Sequence, residues 1–178
     1  MAYNLLSINV AMEPKNQDKS LYSIGAAARI LGVSVQTLRM YESEGLIIIP
    51  KSAGNQRIYT EFDIERLRCI RKAINEYKIS IGGMKRIHGM IPCWDIIKCS
   101  PEERSVCPGF KNHLGGCWTY EHEHSVCAER DCRLCDVYKL SNDCGHIKEQ
   151  IINSSLVQLE QLMKHSPVHD EVAAGAVS

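Results

Sequence analysis

No apolar run in this 178-residue chain approaches the roughly 18 residues that would span a bilayer, and Leu46-Ile-Ile-Ile49 is strand-length at most. The N-terminus lacks a basic stretch ahead of Leu5-Leu6, so no secretory signal is read and a cytoplasmic location is expected. A Gly-rich phosphate loop, His-Glu-x-x-His and a nucleophile elbow are all missing, which argues against an enzyme. Cys132-x2-Cys135 lacks the βαβ context that makes a thiol oxidoreductase persuasive. The length leaves no room for a barrel or doubly wound enzyme with an added domain.

Net charge is missing too, since 21 Lys and Arg face 21 Asp and Glu. The balance hides a division. Residues 21–91 carry 11 basic and 6 acidic side chains, whereas residues 92–178 carry 8 and 13. A basic half joined to an acidic half points to a polyanion met by the first half alone. Cysteine is divided more sharply: eight of nine lie between Cys93 and Cys144, with Cys69 alone upstream on an apolar helix face. Without an export signal, such density indicates metal or redox chemistry before structural disulfides.

Punctuation gives the organisation: a leader (1–20), a helical half (21–91), a Cys-rich module (92–144), an amphipathic helix (145–164) and a tail (165–178). Ser23 is placed to cap a helix over Ile24–Leu31 closed by Gly32, and Ser34 a second from Val35 to about Glu44, stopped by Gly45. Leu46–Ile49, a turn over 50–55 and Arg57-Ile-Tyr59 read as strand, turn, strand. Thr60-Glu-Phe-Asp63 is a capping box for a third helix, and Ser80 caps a fourth. Arg66, Arg68, Arg71 and Lys72 are expected on a solvated face of the third helix. The fold class is mainly α: a winged helix-turn-helix domain, a small irregular Cys-rich metal-binding module and a C-terminal helix.

A helix pair followed by a wing favours double-stranded DNA, because an α-helix fits the major groove of B-DNA and not that of A-form RNA. On the second helix Gln36, Thr37, Arg39 and Met40 fall where side chains can face outward, with Gln suited to adenine and Arg to guanine or phosphate. In the wing, Lys51, Asn55 and Arg57 offer donors to phosphate oxygens, and the hydroxyls of Tyr41 and Tyr59 offer the same unless the rings are core.

These residues carry a resemblance. Tyr22-Ser-Ile-Gly25, Gly32-Val-Ser-Val-Gln-Thr-Leu-Arg39, Tyr41-Glu-Ser-Glu-Gly-Leu46 and Gln56-Arg-Ile-Tyr59 look like the DNA-binding domain of MerR-type regulators. Ile79-Ser-Ile-Gly-Gly-Met-Lys-Arg-Ile87 is similar to the HspR-like branch. The resemblance implies a second helix in the major groove and a wing on the backbone, with Arg39, Tyr41, Arg57 and Tyr59 at family DNA contacts. It also implies a homodimer on promoter DNA, in reach of RNA polymerase. The long dimerisation helix such proteins place after the fourth helix is missing from its usual place, where Ile91-Pro92-Cys93 intervenes; the helix near Ile147–Met163 is either its replacement or a helix packed on its own protomer.

In the Cys-rich module the candidate ligands are Cys93, Cys99, Cys107, Cys117, Cys127, Cys132, Cys135 and Cys144. Trp94 and Trp118 each directly follow a cysteine, so the segment reads as a degenerate duplication. It resembles small modules with two Cys-Trp pairs appended to bacterial regulators. Cys127-x4-Cys132-x2-Cys135 has the first spacings of a [2Fe–2S] loop, and Cys-x2-Cys also suits zinc. An iron–sulfur cluster ranks ahead of zinc, and zinc ahead of metal-free thiol switching. His113, His122, His124 and His146 lie nearby, with a surface role expected for each. The expected function is a DNA-binding transcriptional regulator sensing metal or redox state. Its alternative is a constitutive repressor whose module is a structural zinc fold or a partner surface.

Overall fold

The computed structural model describes residues 20–123 and 125–142, and further on positions 149, 152, 153, 155 and 156. The expected leader up to residue 19, Cys144, His124, His146, most of the helix at 145–164 and the tail lie outside the described residues.

Each helix of the first half starts where a short polar side chain satisfies an orphan N–H. Ser23 Oγ accepts from Ala26 to open α1 (Ile24–Leu31), and Gly32 closes it at φ +62. Ser34 accepts from Thr37 to open α2 (Val35–Ser43). The Thr60/Asp63 capping box is complete at the start of α3 (Glu61–Asn75), and Ser80 accepts from Gly83 ahead of α4 (Ile81–Gly89). These helices enclose one core that includes Ala27, Leu38, Leu46, Ile64, Leu67 and Ile70.

The wing differs from expectation. The paired strands are β1 (Tyr22–Ser23) and β2 (Ile58–Tyr59), antiparallel with Tyr22 opposite Tyr59. Leu46–Ile49 joins no ladder. Leu46, Ile47 and Ile49 are all buried, so the segment is covered on more than one side, and the Ile48 N–H donates to the Tyr138 hydroxyl at 2.8 Å. The hairpin keeps a single Lys51–Arg57 bridge, and its tip closes by Ser52 N–H donating to Gln56 O (2.8 Å).

The Cys-rich module is more regular than expected. It contains α5 (Cys93–Ile97), α6 (Pro101–Val106), α7 (Pro108–Lys111) and α8 (Asp136–Leu140), with 3-10 turns at Cys117–Thr119 and Cys132–Leu134. Helices this short are not stable alone, so packing must hold them. A second core supplies it: Ile91, Trp118, Val137 and Tyr138, joined by Ile48, Phe62 and Ile87 from the first half. The two halves therefore share apolar surface. Trp118 stands edge-on to Tyr138 (5.1 Å, 89°), and its indole N–H donates to the Gly45 carbonyl at 2.9 Å.

Gly45 has φ +72, and a Cβ there would stand 2.6 Å from Thr119 Cγ2. Gly45→Ala is expected to lower stability by about 1–3 kcal/mol through the left-handed backbone and this clash. A urea midpoint within error of the parent would contradict the contact.

Arg66 corrects an expectation. It is not on a solvated face but fully buried, with Nε donating to Leu46 O (3.0 Å) and Nη1 to Tyr138 O (2.9 Å) and Asn142 Oδ1 (2.7 Å). Arg71 is likewise drawn inward onto the Leu31 carbonyl, while Arg68 and Lys72 remain exposed.

Candidate nucleic-acid interface and cysteine pocket

The second helix of the pair turns Leu38 and Tyr41 into the core, which leaves Gln36 and Arg39 exposed and Thr37 half-buried. Thr37 is partly committed, since its hydroxyl hydrogen-bonds Ser34 Oγ at 2.8 Å. In the hairpin Lys51 and Asn55 are exposed, and Asn55 adopts φ +57 at the tip. Arg57 is half-buried in an ion pair with Glu42, which ties the wing to α2. That hydrogen bond raises the Arg57 pKa.

Both tyrosines are core residues. Tyr41 is 5% exposed and Tyr59 0%. Burial pushes the Tyr59 hydroxyl up to about 12, and among the described residues that hydroxyl has no hydrogen-bond partner. The expected phosphate contact by Tyr59 is corrected accordingly: the ring that pairs with Tyr22 across β1 and β2 faces inward.

The cysteines converge, although the chain scatters them over more than forty residues. Cys93, Cys99, Cys107, Cys117 and Cys127 line one small pocket with His122, walled by Trp94, Ile97 and Phe110. Cys132 and Cys135 pack with Cys93 and Cys117 against the second core. These seven are thiols outside any disulfide. Cys93 is held toward the thiolate by a hydrogen bond from Cys117, then by backbone N–H donors, against the effect of burial. Donating that bond raises Cys117, with burial second. Burial, with Cys135 next, pushes Cys127 up to about 11, and burial also raises Cys132.

Among the described residues no group of three or more His, Cys, Asp or Glu side chains is set as an ion would require. The donor set nonetheless suits a soft metal: several thiols and one imidazole beside an apolar wall. Cys144, the eighth expected ligand, lies outside the described residues.

Two anchors next to these cysteines were not read from the sequence. Arg133, adjacent to Cys132, forms a two-pronged bond to the buried Asp63 carboxylate at 3.0 and 2.8 Å, and Tyr138 follows Cys135 by three. For Arg66 a signal existed: it lies three residues after Asp63 and four before Ile70, on the apolar stripe of α3.

The profile of the MerR HTH family regulatory protein matches residues 22–88. The putative heat shock protein HspR of Streptomyces coelicolor is 38% identical over 71 residues, covering 40% of this chain and 47% of that protein. An HTH-type transcriptional regulator ZntR homolog of Haemophilus influenzae is 43% identical over 65 residues (36% and 47%). The mercuric resistance operon regulatory protein of Pseudomonas fluorescens is 40% identical over 52 residues (29% and 36%). The chain thus spans less than half the length of these relatives, and the family match ends before Cys93. No solved structure matches. The match to the MerR HTH family thus falls on residues 22–88, the stretch that holds the Ser-capped helix pair and short wing.

Proposed function

We propose that the protein is a DNA-binding transcriptional regulator in which residues 21–91 dock on promoter DNA and residues 92–144 respond to metal or redox state. The observation that carries the first part is the exposed Gln36 and Arg39 on α2 beside an exposed Lys51 and Asn55 at the wing tip, in a basic half-chain. In this reading α2 enters the major groove, Gln36 and Arg39 meet base edges, and Lys51 and Asn55 meet phosphate. Arg57 holds the wing against α2 through Glu42. Tyr41 contributes by packing α2.

The gathering of seven thiols supports the sensing part, as does a mercuric resistance regulator among the relatives. Action as a cytoplasmic homodimer, contact with RNA polymerase, and an iron–sulfur cluster or zinc at the thiols all belong to this proposal. Among the described residues no helix is long and apolar enough to cross a membrane.

Duplexes selected by the full chain from a random pool supply the test. Arg39→Ala is expected to weaken binding by about 10- to 100-fold and to relax preference at one base position. Arg57→Ala is expected to weaken it less and without a change in preference. Unchanged binding in both variants would sink the docking.

The shared second core favours a second reading, in which the module is a fixed brace and binding is constitutive. Affinity that stays the same through metal removal and thiol oxidation would select it.

A further inference from the structure

His122 is held on three sides. Its Nε2 lies 2.8 Å from the Cys117 carbonyl oxygen. A carbonyl only accepts, so Nε2 carries the hydrogen and the Nδ1 lone pair is the free face of the neutral ring. That face looks at Cys107 Sγ, 3.6 Å away. On the ring's third side stands Gly109, where a Cβ would lie 3.1 Å from His122 Cε1. Side-chain bulk is absent where the imidazole needs room. A ring nitrogen turned to thiols while the other donates to a backbone carbonyl is the arrangement that fixes the tautomer of a metal-binding histidine.

The cysteines divide around it. Cys93 and Cys117 hydrogen-bond each other and, with Cys132 and Cys135, pack on the core patch of Trp118 and Tyr138. Cys99, Cys107 and Cys127 line the pocket with His122 and take no part in that patch, while Cys93 and Cys117 border both. The seven described cysteines of the Cys-rich module and one histidine make eight donors, which is two complete tetrahedral sets.

We propose that His122 completes the second of two sites for thiophilic metal, with Cys93, Cys117, Cys132 and Cys135 in one and Cys99, Cys107, Cys127 and His122 in the other. The assignment rests on the metal-sensing reading above and leaves Cys144 outside both sets. Cys93 and Cys117 stand as a hydrogen-bonded pair and Cys107 against His122 Nδ1, so ion binding resets these rotamers and turns each sulfur to its ion.

The full chain, purified without oxygen and stripped with chelator, is titrated with Co²⁺, whose absorption reports tetrahedral geometry and thiolate ligation. The wild type is expected to take two equivalents. His122→Ala is expected to keep one and to bind the second at least about tenfold more weakly. His113→Ala, outside the pocket, is expected to keep both. Two equivalents with unchanged affinity and spectrum in His122→Ala would overturn the assignment, as would a wild type that takes only one. Should the variant not fold, X-ray absorption of the zinc-loaded wild type decides: one imidazole among eight donors supports the assignment, and an all-sulfur shell overturns it. A wild type that takes up no cobalt or zinc overturns the metal-sensing reading itself, and His122 with it, while the DNA-binding assay stands apart.

Discussion

Lowering the pH from 7 to 4 is expected to cost the folded chain roughly 3 kcal/mol through His88 alone. His88 lies on α4, is 2% exposed, and packs its ring 5.1 Å from Trp118. Among the described residues neither ring nitrogen has a hydrogen-bond partner. Burial first, and the nearby Arg66 charge second, push its pKa from 6.5 to about 3. A depressed histidine is neutral in the folded state while the unfolded state takes up its proton below 6.5. The unfolded chain therefore binds more protons between about 3 and 6.5, so stability is complete above 6.5 and falls throughout that window. Urea unfolding at pH 7, 5.5 and 4.5, with chelator present to remove any metal contribution, measures the slope. His88→Leu should flatten it and raise stability at pH 7, because an unpartnered buried polar group is replaced by an apolar one. Equal slopes in parent and variant would contradict the burial of His88.

Arg66→Met is expected to destabilise the protein by about 2–4 kcal/mol and to loosen the Cys-rich module from the helix-turn-helix domain. Two effects oppose each other. Desolvation lowers the Arg66 pKa, so removing its charge relieves a cost. Against that, the Leu46 and Tyr138 carbonyls, Asn142 Oδ1 and the Ser141 hydroxyl lose their donor in a dry interior. The guanidinium also lies 4.0 Å over the Tyr138 ring and 5.1 Å from that of Trp118, and that contact goes too. Several stranded acceptors outweigh one relieved charge. Arg66→Lys should not rescue, since one ammonium cannot reach Leu46 on one side and Tyr138 on the other in the planar fork the site requires. Urea midpoints give the magnitude, and limited proteolysis gives the place, with first cleavage expected inside 92–142. A midpoint within 0.5 kcal/mol of the parent at the conversion usual for such a domain would refute the brace.

The first half was legible because its signals are local. Ser23, Ser34, Thr60 with Asp63, and Ser80 open the helices they were expected to open, since a cap needs only a side chain and an N–H two or three residues on. The wing was misread at Leu46–Ile49 because an unbroken apolar run does not say which faces are covered. Here Tyr138, about ninety residues away, takes the Ile48 N–H that a strand partner would have taken.

The sequence alone determined the capped helix pair of the first half, the outward Gln36 and Arg39, and the concentration of cysteine in 93–144, because periodicity, caps and spacing are properties of neighbouring residues. Tertiary structure decided what depends on distant ones. It buried Tyr59 and Arg66 rather than leaving them to DNA or solvent, drew Asp63 onto Arg133, and turned His122, and not His113, into the thiol pocket. The physical reason is common to all four. A charged or aromatic side chain takes its role from the partners that desolvate it, and those partners arrive only when the chain has folded back on itself.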